Sequence, residues 1–356
     1  MWLLVVSATF GALLGEFSGI AMGGLFGSIV ITLVVSQCLT LRGQASQTPS
    51  LLPSKMELPK GSITLIQLIL GLSVGSIASF QTIAENVSVP VVTGLILCLC
   101  CQISLGFIWL NRAEKWSVSD SIMGAIPGAL SALLSMSGRY QSPSAKVVFA
   151  HSVRLVLLVL LAAFISTQYA ADLTTFDNNS NVFRATDVFW LCIVATLSIG
   201  CGWALDKIAL PAPYLTGSLI TTITFHSLFN HIAIVVPSIL IDVSTTILGA
   251  VIGLKLSAVK MSEAWRYARA GILVTTISLS VTIAASYITS IALDMNWAVL
   301  LIAWVPGNVE AMTTIALAFS LQPSFVMINH VIRLFILNLT PIVLGQISPS
   351  DSPNTM

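Results

Sequence analysis

A histidine and an arginine three residues apart, His151 and Arg154, recur as His330 and Arg333 inside otherwise apolar sequence. Three residues is close to one helical turn, so each pair projects from a single helix face. Upstream of each pair stands a Pro-Gly step, Pro127-Gly128 and Pro306-Gly307, and proline, histidine and arginine all repeat at one offset of 179 positions. Proline removes a backbone donor and clashes with the preceding turn, and glycine permits a sharp change of direction, so each step breaks an apolar helix in two. The half-helix that follows begins with unpaired N–H groups and the positive end of its dipole, which favour an anion or a carboxylate in a low-dielectric site. An arginine inside a bilayer core costs roughly 2.5–3.5 kcal/mol or more unless it faces a partner or a water-filled cavity. Arg154 and Arg333 are therefore candidates for substrate or ion contact. The plainer alternative is an arginine that snorkels to the interface, or pairs with a carbonyl of the broken segment to hold the fold.

Glu310 follows Gly307 by three residues, in the first turn of the second half-helix, where the dipole favours its carboxylate and Arg333 or Arg154 is a fitting partner. Its counterpart, Ser131, does not ionise, so the half-sites are unequal and Glu310 is the better candidate for proton coupling. Asn308, aligned with Ala129, adds an amide able to contact a ligand. Asp187 and Asp242 fall near the ends of apolar stretches and read as interfacial. All six cysteines lie in apolar stretches, and Cys98, Cys100 and Cys101 fan around one helix without the spacing of a metal or redox site. There is no nucleotide loop, nucleophile elbow or His-Glu-x-x-His motif, so no catalytic, metal or cofactor residues are assigned and the chain reads as a non-enzyme before an enzyme.

The elements that must position these residues are membrane helices. Of the 356 residues, 56% are hydrophobic and 8% charged, with a mean hydropathy of +0.95, too little charge to cover a soluble protein of this size. A formal net charge of +1 and the lack of a Lys/Arg-rich run exclude a direct nucleic-acid partner. Apolar stretches of membrane length divide the chain into a first repeat over 1–168, a linker over 169–184, a second repeat over 185–347 and a tail over 348–356. Leu70-Gly71 with Gly75 matches Leu248-Gly249 with Gly253 at an offset of 178, and Gly27-Ser28 matches Gly217-Ser218 at 190. If the broken segments 120–138 and 297–320 enter and leave on one side, twelve loop Lys and Arg residues between Arg42 and Arg269 face the cytoplasm and Arg184 lies outside. Each half then makes five full crossings, and an odd number inverts the second repeat. The expected fold is an all-α polytopic transmembrane helical bundle of about 10–12 segments in two inverted repeats with Pro-Gly-broken helices. It is expected in the bacterial inner (plasma) membrane, with the lipid bilayer and an unidentified small-molecule solute as partners; a homo-oligomer is compatible with it.

The segments IPGALSALLSMSGRYQSPSAKVVFAHSVRL and VPGNVEAMTTIALAFSLQPSFVMINHVIRL, with GWALDKIALPAPYLTGSLI, resemble the AbrB membrane-protein family over essentially the whole chain. Members carry a duplicated Pro-Gly-x-x-Glu-Met block followed by His-x-x-Arg. The labels attached to the family imply either regulation of gene expression or an ammonia monooxygenase. This chain departs from the block: Ala129 and Asn308 stand where members usually have a second glycine, and the first block lacks the acidic residue and the methionine. The leading expectation is secondary transport of a small anionic or proton-coupled solute by alternating access. Arg154 and Arg333 would supply charge, the half-helix N-termini after Gly128 and Gly307 N–H donors, and Glu310 with His330 the proton chemistry. A membrane sensor that affects gene expression through a solute or partner is the second expectation, and ammonia oxidation the third.

Overall fold

The computed structural model describes residues 2–17, 23–45, 61–78, 80, 88–127, 144, 146–147, 149–151, 153–154, 156–158, 161, 185–208, 210, 212–229, 232, 234–257, 261–307 and 309–347. Every regular element among the described residues is an α-helix, the form that satisfies its own backbone without water. The first repeat contributes α1 (Trp2–Phe17), α2 (Gly23–Ala45), α3 (Ser62–Ile77), α4 (Val89–Arg112), α5 (Val118–Ala125) and α6 (Phe149–Leu158). The second contributes α7 (Ala185–Lys207), α8 (Pro213–Leu228), α9 (Ser238–Ser257), α10 (Met261–Leu293), α11 (Trp297–Trp304), α12 (Val309–Ala318) and α13 (Pro323–Ile347).

Val89–Arg112, Thr186–Lys207 and Trp265–Leu293 are long and apolar enough to cross a membrane, and shorter apolar helices surround them. Large apolar side chains such as Phe10, Leu97, Phe189 and Ile288 point outward, a surface suited to lipid rather than water. Hydroxyls inside this apolar body bond back to the preceding turn, as Thr275 does to the Gly271 carbonyl and Thr282 to that of Ser278.

Close helix contacts show how the repeats interlock. A Cβ on Gly71 would meet the Leu215 carbonyl and the Ser218 side chain, and one on Gly75 would meet Leu219 and Thr222, so α3 lies parallel to α8. Likewise Gly249 abuts Leu25 and Ser28, and Gly253 abuts Ile29 and Thr32, so α9 lies parallel to α2. These are one contact made twice: the α3 glycines map onto those of α9 at the offset of 178, and the α2 residues map onto those of α8 at 190. Each repeat thus lends a helix to the other. The equivalent helices α4 and α10 pack antiparallel, with Gly94 beside Thr289, Gln102 beside Thr282 and Gly106 beside Val274. Equivalent helices running in opposite directions make the second repeat inverted. The main core spans both halves, from Leu25, Leu70 and Leu95 to Leu215, Trp304 and Ile315.

Candidate functional site

The half-helices that lead into the two Pro-Gly steps are built alike down to the backbone. Lys115 and Asp294 both take the left-handed conformation, at φ 54° and 52°, and two residues later Ser117 and Asn296 cap α5 and α11. The Ser117 hydroxyl accepts from the Asp120 N–H at 3.2 Å, and the Asn296 carbonyl oxygen from the Ala298 N–H at 2.9 Å. Both pairs keep the offset of 179. Each half-helix runs eight residues and ends just before its proline. Pro127 and Pro306 are buried at the breaks, as is Gly307, on which a Cβ would strike Met312.

The carbonyls at the end of such a half-helix have no helical partner, and lipid offers none. The His/Arg pairs supply the donors. His151 Nε2 donates to the Met123 carbonyl at 2.9 Å, and Arg154 donates to those of Gly124 at 2.7 Å and Ile126 at 3.3 Å. His330 Nε2 donates to Ile302 at 3.1 Å, and Arg333 donates to Val305 at 2.6 Å and to Gly307. A cation at the negative end of a helix dipole is also favoured electrostatically.

These bonds fix the path of the chain. His330 with Ile302 and Arg333 with Val305 share one spacing, so α11 and α13 run parallel there. α12 and α13 are joined by a tight turn at 319–322 and pack antiparallel. The chain therefore returns through α12 to the side from which α11 came. In the first repeat the Asp120–Lys146 ion pair, at 2.7 Å, puts the starts of α5 and the following helix at one end, and His151 with Met123 continues the parallel register.

Carbonyl capping does not exhaust the site. Arg154 and Arg333 are 3% and 0% exposed, and among the described residues neither has a carboxylate partner. The two guanidiniums lie within electrostatic reach of each other. Nε of each arginine and Nδ1 of His330 have no hydrogen-bond partner among the described residues. Because a carbonyl only accepts, His330 carries its proton on Nε2 when neutral, which leaves Nδ1 as a free acceptor.

The structure thus brings together His151, Arg154, Pro127, Pro306, Gly307, His330 and Arg333 around the two breaks. Gly128 and Asn308 lie outside the described residues; Glu310 is the second residue of α12, and its side chain is likewise outside them. Sequence reasoning passed over Gln102, a fully buried amide in α4 that bonds Thr282 across the repeats. The signal was a lone amide inside an apolar run, beside the more conspicuous cysteines. Asp242 borders a separate cavity of about 310 Å³ between α1 and α9, together with Glu16; two acidic side chains there disfavour an anion. Among the described residues no three His, Cys, Asp or Glu side chains gather to hold a metal, so no metal chemistry is derived from them.

A family model described as "Transition state regulatory protein AbrB" matches residues 48–347. The chain is also 25% identical, over 366 aligned positions covering 94% of it and 89% of the relative, to a Bacillus subtilis (strain 168) protein described as "Uncharacterized protein YhjN".

Proposed function

The chain belongs to the AbrB family, and from that premise we propose that it is a secondary transporter of a small anionic solute, coupled to protons, in the bacterial inner membrane. The observation that carries this reading is the pair of buried guanidiniums, one per inverted repeat, each with a donor left over after its half-helix is capped. Two cations in a low-dielectric interior repel, and an anion between them removes that cost. Backbone N–H groups at the start of α12, after Gly307, add donors to the same anion. His330 Nδ1 is the acceptor for the coupled proton, and Glu310 is the candidate carboxylate for the same role. Inverted repeats around a midplane site give the two-sided geometry that alternating access needs.

The test is ligand-induced thermal stabilisation of the purified protein against a panel of small anions, amines and metabolites, on wild type and Arg333→Gln. A small anion is expected to raise the Tm of wild type and not that of the variant. Stabilisation by amines alone, or by anions equally in both proteins, contradicts the proposal.

A further inference from the structure

α4 and α10 cross where the pseudo-symmetry maps the contact onto itself: the equivalent of Gln102 at the offset of 179 is position 281, next to its partner Thr282. Gln102 and Ser278 are both 0% exposed. Gln102 Nε2 donates to Thr282 Oγ1 at 2.8 Å and to Cys98 Sγ at 3.1 Å. The Thr282 hydroxyl spends its only proton on the Ser278 carbonyl, at 2.8 Å, so it can only accept from Gln102. With that hydroxyl orientation the amide nitrogen lies toward Thr282. The Gln102 carbonyl oxygen, Oε1, is left with no partner among the described residues, as is the hydroxyl of Ser278, one turn before Thr282 on the same face of α10.

The two arginines bracket this point. α4, which carries Gln102, also packs against α13, which carries Arg333, and the charge of that arginine bears on Cys98, one turn before Gln102. Gly106, one turn after it, packs on Ala125, whose flanking carbonyls on Gly124 and Ile126 are the ones Arg154 caps. A buried amide oxygen left bare is costly, so its persistence between two guanidiniums points to a ligand donor.

We propose that Gln102 Oε1 and Ser278 Oγ form the neutral half of the solute site and take a hydroxyl of a small hydroxycarboxylate whose carboxylate faces Arg154 and Arg333. This rests on the anion-transport reading and adds to it what the arginines cannot supply, an acceptor that separates a hydroxy acid from a plain one. An ammonium in place of the hydroxyl is opposed by the two guanidiniums.

Titration calorimetry of the full-length protein with lactate, propionate and alanine, one three-carbon acid bearing a hydroxyl, a hydrogen or an ammonium at the second carbon, tests the assignment. Wild type is expected to bind lactate about tenfold tighter than propionate or more, with alanine no better than propionate. Gln102→Leu is expected to bring the lactate-to-propionate ratio near one while propionate binding remains, and Ser278→Ala to lower it partway. Equal binding of lactate and propionate by wild type, with both lost in Arg333→Gln, overturns the Gln102 assignment and leaves the anion site standing. A preference that survives in both Gln102→Leu and Ser278→Ala also overturns it, and if the leucine variant does not fold, the wild-type ratio and Ser278→Ala decide. Binding of neither acid by folded wild type overturns the hydroxycarboxylate site, and the panel above then decides separately whether any anion binds.

Discussion

In the first repeat the half-helix Val118–Ala125 starts beside two ion pairs; in the second, Trp297–Trp304 starts with none among the described residues. Asp120 pairs with Lys146 at 2.7 Å, and buried Glu114 accepts from Arg269 at 3.0 and 3.1 Å, joining the α4–α5 loop to α10 of the other repeat. The counterparts of Asp120 and Lys146 are Val299 and Phe325, both buried, and those of Glu114 and Arg269 are Leu293 and Pro90. Deeper in, the difference vanishes, since both breaks are held by the same histidine and arginine on matching carbonyls. Symmetry is kept where buried carbonyls demand donors, and lost where the two ends face different surroundings. One end is latched by ion pairs and the other by apolar packing.

The comparison can be broken most sharply at the clamps. Replacing Arg333 by leucine takes the guanidinium donors from the Gly307 carbonyl and from the Val305 carbonyl, which keeps only the Gly307 N–H at 2.7 Å, a loss of about 1–3 kcal/mol. Arg154→Leu should cost less, because one of its two bonds is 3.3 Å long and its side chain is not wholly buried. Thermal unfolding in detergent should rank Arg333→Leu below Arg154→Leu and both well below wild type; the reverse order would mean that the first clamp bears more of the fold. The exchanged contacts α3–α8 and α2–α9 come next. Gly71→Ala and Gly249→Ala should each lose about 1–3 kcal/mol by overpacking. Gly71→Ala should be the worse, since its Cβ would run into the Ser218 hydroxyl while that of Gly249 would lie 2.7 Å from the nearest atom, the Leu25 carbonyl oxygen. Equal Tm values for wild type and both variants would show that these helices do not meet as described.

Much of this arrangement was legible in the residues. Pro127 and Pro306 gave the breaks, and the two offsets, 178 and 190, turned out to be the two sides of one helix contact made twice. The inversion was readable from the premise that the loop Lys and Arg share one side, which gives each half an odd number of crossings. What His151, Arg154, His330 and Arg333 bond to was not legible, because a carbonyl leaves no mark in sequence and the pairs were open to both a structural and a ligand role. The geometry gives them the structural one while leaving a free donor on each arginine. Gln102 was missed for a similar reason: its importance lies in meeting Thr282 near a symmetry axis, and a long-range contact carries no local pattern. Met261–Leu293 runs well ahead of the apolar stretch that begins at 269, since the charged residues before it, Arg266 among them, are good helix formers that extend the helix beyond the lipid.

The weakest clamp gives the most direct test. Glu114→Gln removes a charge from a pair whose arginine is 60% exposed, so about 1 kcal/mol or less is at stake and the fold should persist. Hydrogen–deuterium exchange on the full-length protein would then be followed at both mouths, over residues 113–121 and 293–304. If the repeats alternate around one site, exchange should rise at 113–121 and fall at 293–304 relative to wild type. A rise at both mouths, or no change at the second, would contradict alternation.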